Sequence, residues 1–97
     1  MENQKQKFIV RCDRSGVFYG EIEERNGREI KMRNVRNLWY WDGAATLLQL
    51  AAEGTTSSDK CKFTMTVDSL EVLDAIEVIP CTDRAIESIE AVKEWKR

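Results

Sequence analysis

Apolar and polar residues alternate with period two over the first third of the chain, which predicts strands. After a polar lead over residues 1–6, expected to be frayed and flexible, Phe8, Val10 and Cys12 alternate with Ile9, Arg11 and Asp13. Arg14, Ser15 and Gly16 make a turn. In the second strand Phe18, Gly20 and Ile22 take one face, and Tyr19, Glu21 and Glu23 the other. Asn26 and Gly27 mark a hairpin. A three-residue loop of Arg25, Asn26 and Gly27 would pair Ile22 with Ile30 and Gly20 with Met32, and set Glu21 opposite Lys31 on the outer face. That register keeps apolar side chains together, so it is the expected one.

The third strand covers 29–35, with residues 38–41 as an extension or a bent continuation. The period then changes. Asp42 supplies a helix cap, 44–53 is rich in helix formers with Leu47, Leu50 and Ala51 on one face, and Gly54 ends the helix. Residues 55–60 form a loop. Cys61, Phe63, Met65 and Val67 alternate with Lys62, Thr64 and Thr66 as a clean strand, turned at Asp68 and Ser69. A last strand over 75–79 stops at Pro80. Thr82 caps a second helix, with Cys81 stapled onto Ile86; Ile86, Ile89 and Val92 form its buried stripe and Trp95 closes its end.

The fold class follows: α+β, one domain over 1–97, with an antiparallel sheet of about five strands, flat or rolled as a half-barrel. Two helices, 42–53 and 82–95, complete the order β-β-β-α-β-β-α. The core forms where the Phe18, Ile22, Ile30, Met32 face meets the Cys61, Phe63, Met65, Val67 face.

Composition narrows the chemistry. The chain has 97 residues, 42% hydrophobic and 33% charged, as in globular proteins. The polar start is unlike a signal peptide and no apolar run spans a bilayer, so a cytoplasmic protein with no membrane partner is expected. Three cysteines far apart read as free buried thiols in a reducing compartment. With no histidine, the usual base for a serine or cysteine nucleophile is missing and no zinc-ligand spacing occurs. Glu23 with Glu24, and Glu87 with Glu90, read as surface charge. The chain is therefore expected to be no enzyme and to need no cofactor or metal. A net charge of −2 opposes direct binding of a nucleic-acid polymer.

One stretch stands out. Leu38-Trp39-Tyr40-Trp41-Asp42-Gly43-Ala44-Ala45 holds two of the three tryptophans directly before a helix start, and Lys31, Arg33 and Arg36 precede it. Arginine and aromatic rings together grip a phosphate while stacking a base. Asp42 acts as a cap, or accepts hydrogen bonds from a sugar hydroxyl or base amine. The same residues also fit a solvated sheet face with buried tryptophans. Trp39 and Trp41, two apart on an extended segment, point one way, and Leu38 and Tyr40 the other. The expected arrangement turns Leu38 and Tyr40 inward. Trp39 and Trp41 then line a functional surface with Arg33 and Arg36, extended by Tyr19, Lys31 and Asp42.

The chain resembles a family of small phage and prophage proteins of unknown function. The resemblance runs from Phe8 to Trp95 and is carried by Ile9-Val10-Arg11, Gly16-Val17-Phe18-Tyr19-Gly20, Leu38-Trp39-Tyr40-Trp41-Asp42-Gly43-Ala44-Ala45, Cys61-Lys62-Phe63 and Ile76-Glu77-Val78-Ile79-Pro80-Cys81-Thr82. It brings no functional residue with it. It implies a setting, the cytoplasm of an infected or lysogenic bacterium, in which such proteins inhibit host defence, some by sequestering nucleotide signals. The expected function is thus a non-enzymatic sponge for a small nucleotide-like ligand, built as a homo-oligomer. The alternative is a protein-protein inhibitor or assembly factor that uses the same aromatics as anchors.

Overall fold

The computed structural model describes residues 6–97; residues 1–5 of the expected flexible lead lie outside the described residues. Phe8–Cys12 (β1), Val17–Asn26 (β2) and Glu29–Tyr40 (β3) form consecutive antiparallel strands. Helix α1, Leu47–Glu53, follows, then a 3-10 turn at Ser58–Lys60. The chain continues through Lys62–Phe63 (β4), Val67–Val72 (β5), Ala75–Pro80 (β6) and helix α2, Asp83–Glu90. Among the described residues the fold is α+β with six antiparallel strands and two helices, as the alternation predicts; the strand beyond the expected five is β5, over residues where a turn at Asp68 and Ser69 was expected.

β3 is long enough to serve two neighbours. Its first half pairs with β5, from Ile30 opposite Val72 to Val35 opposite Val67, and its last residues pair with β4. β2 and β1 continue the sheet, and β6 lies at the far edge. β5 and β6 therefore occupy opposite edges although only Leu73 and Asp74 separate them. That short link forces the sheet to roll. The tip of the β2–β3 hairpin reaches round to β6, where the Ala75 amide donates to the Arg28 carbonyl at 3.0 Å.

Two bulges provide the curvature. At the first, Glu23 is extra on β2 between the Ile22–Met32 and Glu24–Lys31 pairs. At the second, Asn34 and Val35 lie opposite Gly20 alone. A Cβ on Gly20 would stand 2.9 Å from the Arg33 carbonyl oxygen and the Val35 Cα, so the strands approach here as only glycine allows. These bulges correct the expected register. The hairpin closes on two loop residues, Gly27 and Arg28, with Asn26 opposite Glu29. Ile22 shares a face with Ile30 and Met32, as burial requires, because the extra residue lies inside the strand and not in the loop.

Both faces of the sheet are covered, so neighbours on one strand are buried on opposite sides. Ile9 and Val10 are both fully inaccessible at 0% exposure. Val10, Cys12, Phe18, Ile30, Met32, Val35, Val72 and Ala75 fill the inside of the roll. Ile9, Tyr19, Leu38 and Phe63 meet Leu50, Ala51, Ala85, Ile86, Ile89 and Val92 of the helical layer and its tail. The two faces expected to meet thus belong to separate cores. Phe63 is buried, whereas Met65 and Val67 are 48% and 43% exposed. The 61–67 alternation is broken because Thr64 turns to bond Asn37: its hydroxyl accepts from the Asn37 amide, and its own amide donates to the Asn37 carbonyl. Asp68 and Ser69 lie within β5; the turn comes at Leu73 and Asp74 instead.

Both helices are shorter than expected. α1 is capped by Thr46, whose hydroxyl accepts from the Gln49 amide, and not by Asp42. Residues 42–46 cannot join it, because Gly43 adopts φ +83° and packs on 55–57, where the Thr56 amide donates to its carbonyl. Thr82 caps α2 as expected, and its hydroxyl also donates to the Ala52 carbonyl at 2.7 Å, fastening the helices together. Ile86, Ile89 and Val92 are buried as the stripe predicts. The three thiols are free and buried, and burial pushes Cys81 up to about 12. No helix among the described residues is long and apolar enough to cross a membrane.

Candidate functional site

The aromatic segment closes β3, and its geometry follows from a third irregularity. Leu38 pairs with Phe63 and Tyr40 with Lys62, leaving Trp39 as the extra residue. Period two fails across this step. Leu38 points into the helix-covered core, Trp39 and Tyr40 are 64% and 50% exposed, and Trp41 turns back as a partly buried residue against that core. The expectation thus holds for Leu38 and Trp39 and is reversed for Tyr40 and Trp41.

Arg36 organises what Trp39 meets. The side chain is buried, at 6% exposure, and its hydrogen bonds among the described residues run to backbone carbonyls. Nε donates to Thr64 at 2.9 Å, Nη2 to Phe63 at 3.2 Å, and Nη1 to Ile89 and Val92, both at 3.1 Å. The Ile89 carbonyl belongs to the last turn of α2 and the Val92 carbonyl lies just beyond it, at the end where the helix dipole favours a cation. The guanidinium also lies 5.4 Å from the centre of the Phe63 ring. Burial pulls its pKa below the usual value, opposed by Glu94, Tyr19 and Glu90. Arg36 is therefore a structural clamp and not a surface ligand group.

The clamp brings the tail against β4. Phe63 and Glu94 form a parallel bridge, and the Trp95 amide donates to the Phe63 carbonyl at 2.8 Å. Trp95 leaves the helix it was expected to close and stacks on Trp39, with ring centroids 6.1 Å apart and planes 15° from parallel. Lys62 Nζ lies 5.6 Å from the centre of the Trp95 ring. Two tryptophans, a lysine and the neighbouring Tyr40 form an open shelf.

The other expected site residues lie elsewhere. Tyr19 is 2% exposed in the helix-covered core; the face read as solvated is roofed by α2. Its hydroxyl donates to Glu90 at 2.8 Å, and Lys7 reaches the same carboxylate oxygen at 2.7 Å. Burial raises the Tyr19 pKa, and the bond to Glu90 adds to it. For Glu90 burial acts upward, but the hydrogen bonds from Lys7 and Tyr19 leave it below its usual value. This group lines a cleft of ≈ 340 Å³ that also includes Asn34 and Thr66. Arg33 faces Glu21 across the ladder, lies 3.5 Å from Glu23, and borders a second cleft of ≈ 520 Å³. Lys31 is flanked by Glu24 and Glu71. The Asp42 carboxylate accepts from the amide of Gly43 next to it.

The fold thus disperses the expected set and keeps only Trp39 on the shelf. Trp95 and Lys62 were missed. Their one signal is an indole among cations in the tail, Lys93-Glu94-Trp95-Lys96-Arg97, which reads equally well as a helix end. Among the described residues no group of three or more His, Cys, Asp or Glu could hold a metal ion.

Residues 5–89 match the model of a family described as a domain of unknown function, DUF6948. The chain belongs to this family. No curated protein and no solved structure matches it. The matched residues of this DUF6948 protein include Arg36, Trp39 and Lys62 of the shelf assembly but stop before Trp95.

Proposed function

We propose that this DUF6948 protein is a non-enzymatic binding protein that holds a nucleotide-like ligand on the Trp39–Trp95 shelf. The observation that carries this reading is the pair itself. An indole left 64% exposed, held flat by a second indole with a lysine beside it, presents a stacking surface and a cation to one ligand. A base stacks on the free ring face and Lys62 meets the phosphate. The resemblance to small phage and prophage proteins supplies the setting: capture of a nucleotide host-defence signal in an infected or lysogenic bacterium by a symmetric oligomer.

A panel of mononucleotides, cyclic dinucleotides and larger cyclic oligonucleotides tests this by thermal stabilisation. At least one should raise the melting temperature of the wild-type protein and leave Trp39→Ala unmoved. No shift with any of them removes the reading. The alternative, a protein-contacting inhibitor or assembly factor, is favoured by exposed Tyr40 beside Trp39, since such residues anchor interfaces. Its mark is a stoichiometric protein partner, lost in Tyr40→Ala, with no nucleotide response.

A further inference from the structure

We infer that the shelf is the centre of a track for single-stranded nucleic acid; this rests on the nucleotide reading above and names its ligand class. A net charge of −2 opposes a polymer, but the fold separates the charges behind that number. Two runs distant in sequence, 59–62 and 93–97, are joined at one edge by the parallel Phe63–Glu94 bridge, which follows the first run and lies within the second. Together they hold five cations, Lys60, Lys62, Lys93, Lys96 and Arg97, against two anions, Asp59 and Glu94. All seven are exposed. One carboxylate, Glu94, lies 3.5 Å from Lys96. This edge carries a surplus of three positive charges, so the remainder of the chain is correspondingly acidic.

The positive edge is the one that bears the tryptophans. Trp95 lies within the second run, Lys62 of the first lies over its ring, and Tyr40 stands opposite Lys62. Aromatic faces interleaved with cations are the pattern by which single strands are held: bases stack without sequence preference, and the phosphates follow the charge. The shelf is open and not enclosed. A mononucleotide on it meets the cation nearest the stacked ring, whereas a strand lays successive phosphates along both runs. Duplex DNA has its base faces hidden and cannot stack.

Fluorescence titration of the full chain with dTMP, a dT tetramer, a dT dodecamer and a 12-base-pair duplex, each at two salt concentrations, tests this. The affinity should rise from dTMP to the dodecamer, and the duplex should bind more weakly. The dodecamer's log K should fall against log [salt] with a slope of about −1.5 to −2, as for two or three neutralised phosphates. Trp39→Ala should weaken the dodecamer roughly tenfold or more. The double variant Lys93→Gln, Lys96→Gln should flatten the salt slope and leave dTMP binding unchanged. If dTMP or a cyclic nucleotide binds and the dodecamer binds no tighter, the track is refuted while the nucleotide reading stands. Failure of every nucleotide and oligonucleotide overturns both.

Discussion

Arg36 on β3 donates from Nη1 to the carbonyl of Ile89 at 3.1 Å, so a strand residue caps the end of the last helix. The same nitrogen reaches Val92, and the rest of the guanidinium holds Phe63 and Thr64. Removing it takes the guanidinium donor from the Thr64 and Val92 carbonyls, while Phe63 and Ile89 keep the Trp95 and Val92 amides, and a buried acceptor that loses its donor costs more than the bond itself. Arg36→Met is expected to lower stability by about 3 kcal/mol in urea unfolding. Arg36→Lys should recover only part, because an ammonium cannot present the fork. Both should loosen the Trp39–Trp95 stack.

The two neighbouring tryptophans should respond in opposite ways. Trp41 packs against the helix-side core with Ala44 and Leu47, so Trp41→Ala is expected to cost about 2 kcal/mol. Trp39→Ala removes a ring that is mostly in solvent and should change stability by less than about 1 kcal/mol. Equal losses in thermal or urea unfolding would mean that the bulge at Trp39 is misassigned.

That pair also shows what the chain reveals by itself. Period-two runs at 8–12 and 17–22 and the Thr82 cap are local signals, and the strands and α2 form where they indicate. What was hidden depends on contacts between distant residues. The bulges at Gly20, Glu23 and Trp39 leave few marks in composition yet reset which side chain faces where. Tyr19 reads as an outer-face residue until α2 covers it, and Arg36 reads as a surface cation until four carbonyls surround it. The shelf joins β3 to the tail, two segments that no local pattern connects.

Gly20 marks the bend where β2 and β3 come closest. A valine there would drive its Cβ into backbone 2.9 Å away, and backbone cannot swing aside as a flexible side chain would. Gly20→Val is expected to cost about 2 kcal/mol or more, with loss of the β2–β3 bulge visible in amide exchange.

Acid should weaken the fold through Glu90. Its folded pKa lies below the ordinary 4.5 because Lys7 and Tyr19 donate to the carboxylate against the upward pull of burial. A depressed carboxyl contributes stability above its unfolded pKa and loses that contribution as pH falls through the folded one. Unfolding free energy should therefore drop on acidification below about pH 4.5, and Glu90→Gln should flatten that limb and be less stable at neutral pH. An unchanged acid limb in Glu90→Gln would assign the loss to other carboxyls, Asp74 first, since its bonds with Ser15 and Arg14 also hold it low.

The central claim is that Trp39 and Trp95 form the ligand-contacting surface and Trp41 does not. The three tryptophans give three indole N–H signals in a ¹⁵N–¹H correlation spectrum, assignable from single Trp→Phe variants. Titration with the nucleotide that stabilises the protein most should shift the signals of Trp39 and Trp95 together, saturating at one ligand per shelf, with Trp41 in place. Movement of Trp41 alone, or three unmoved indoles beside a saturating change elsewhere, would contradict the account.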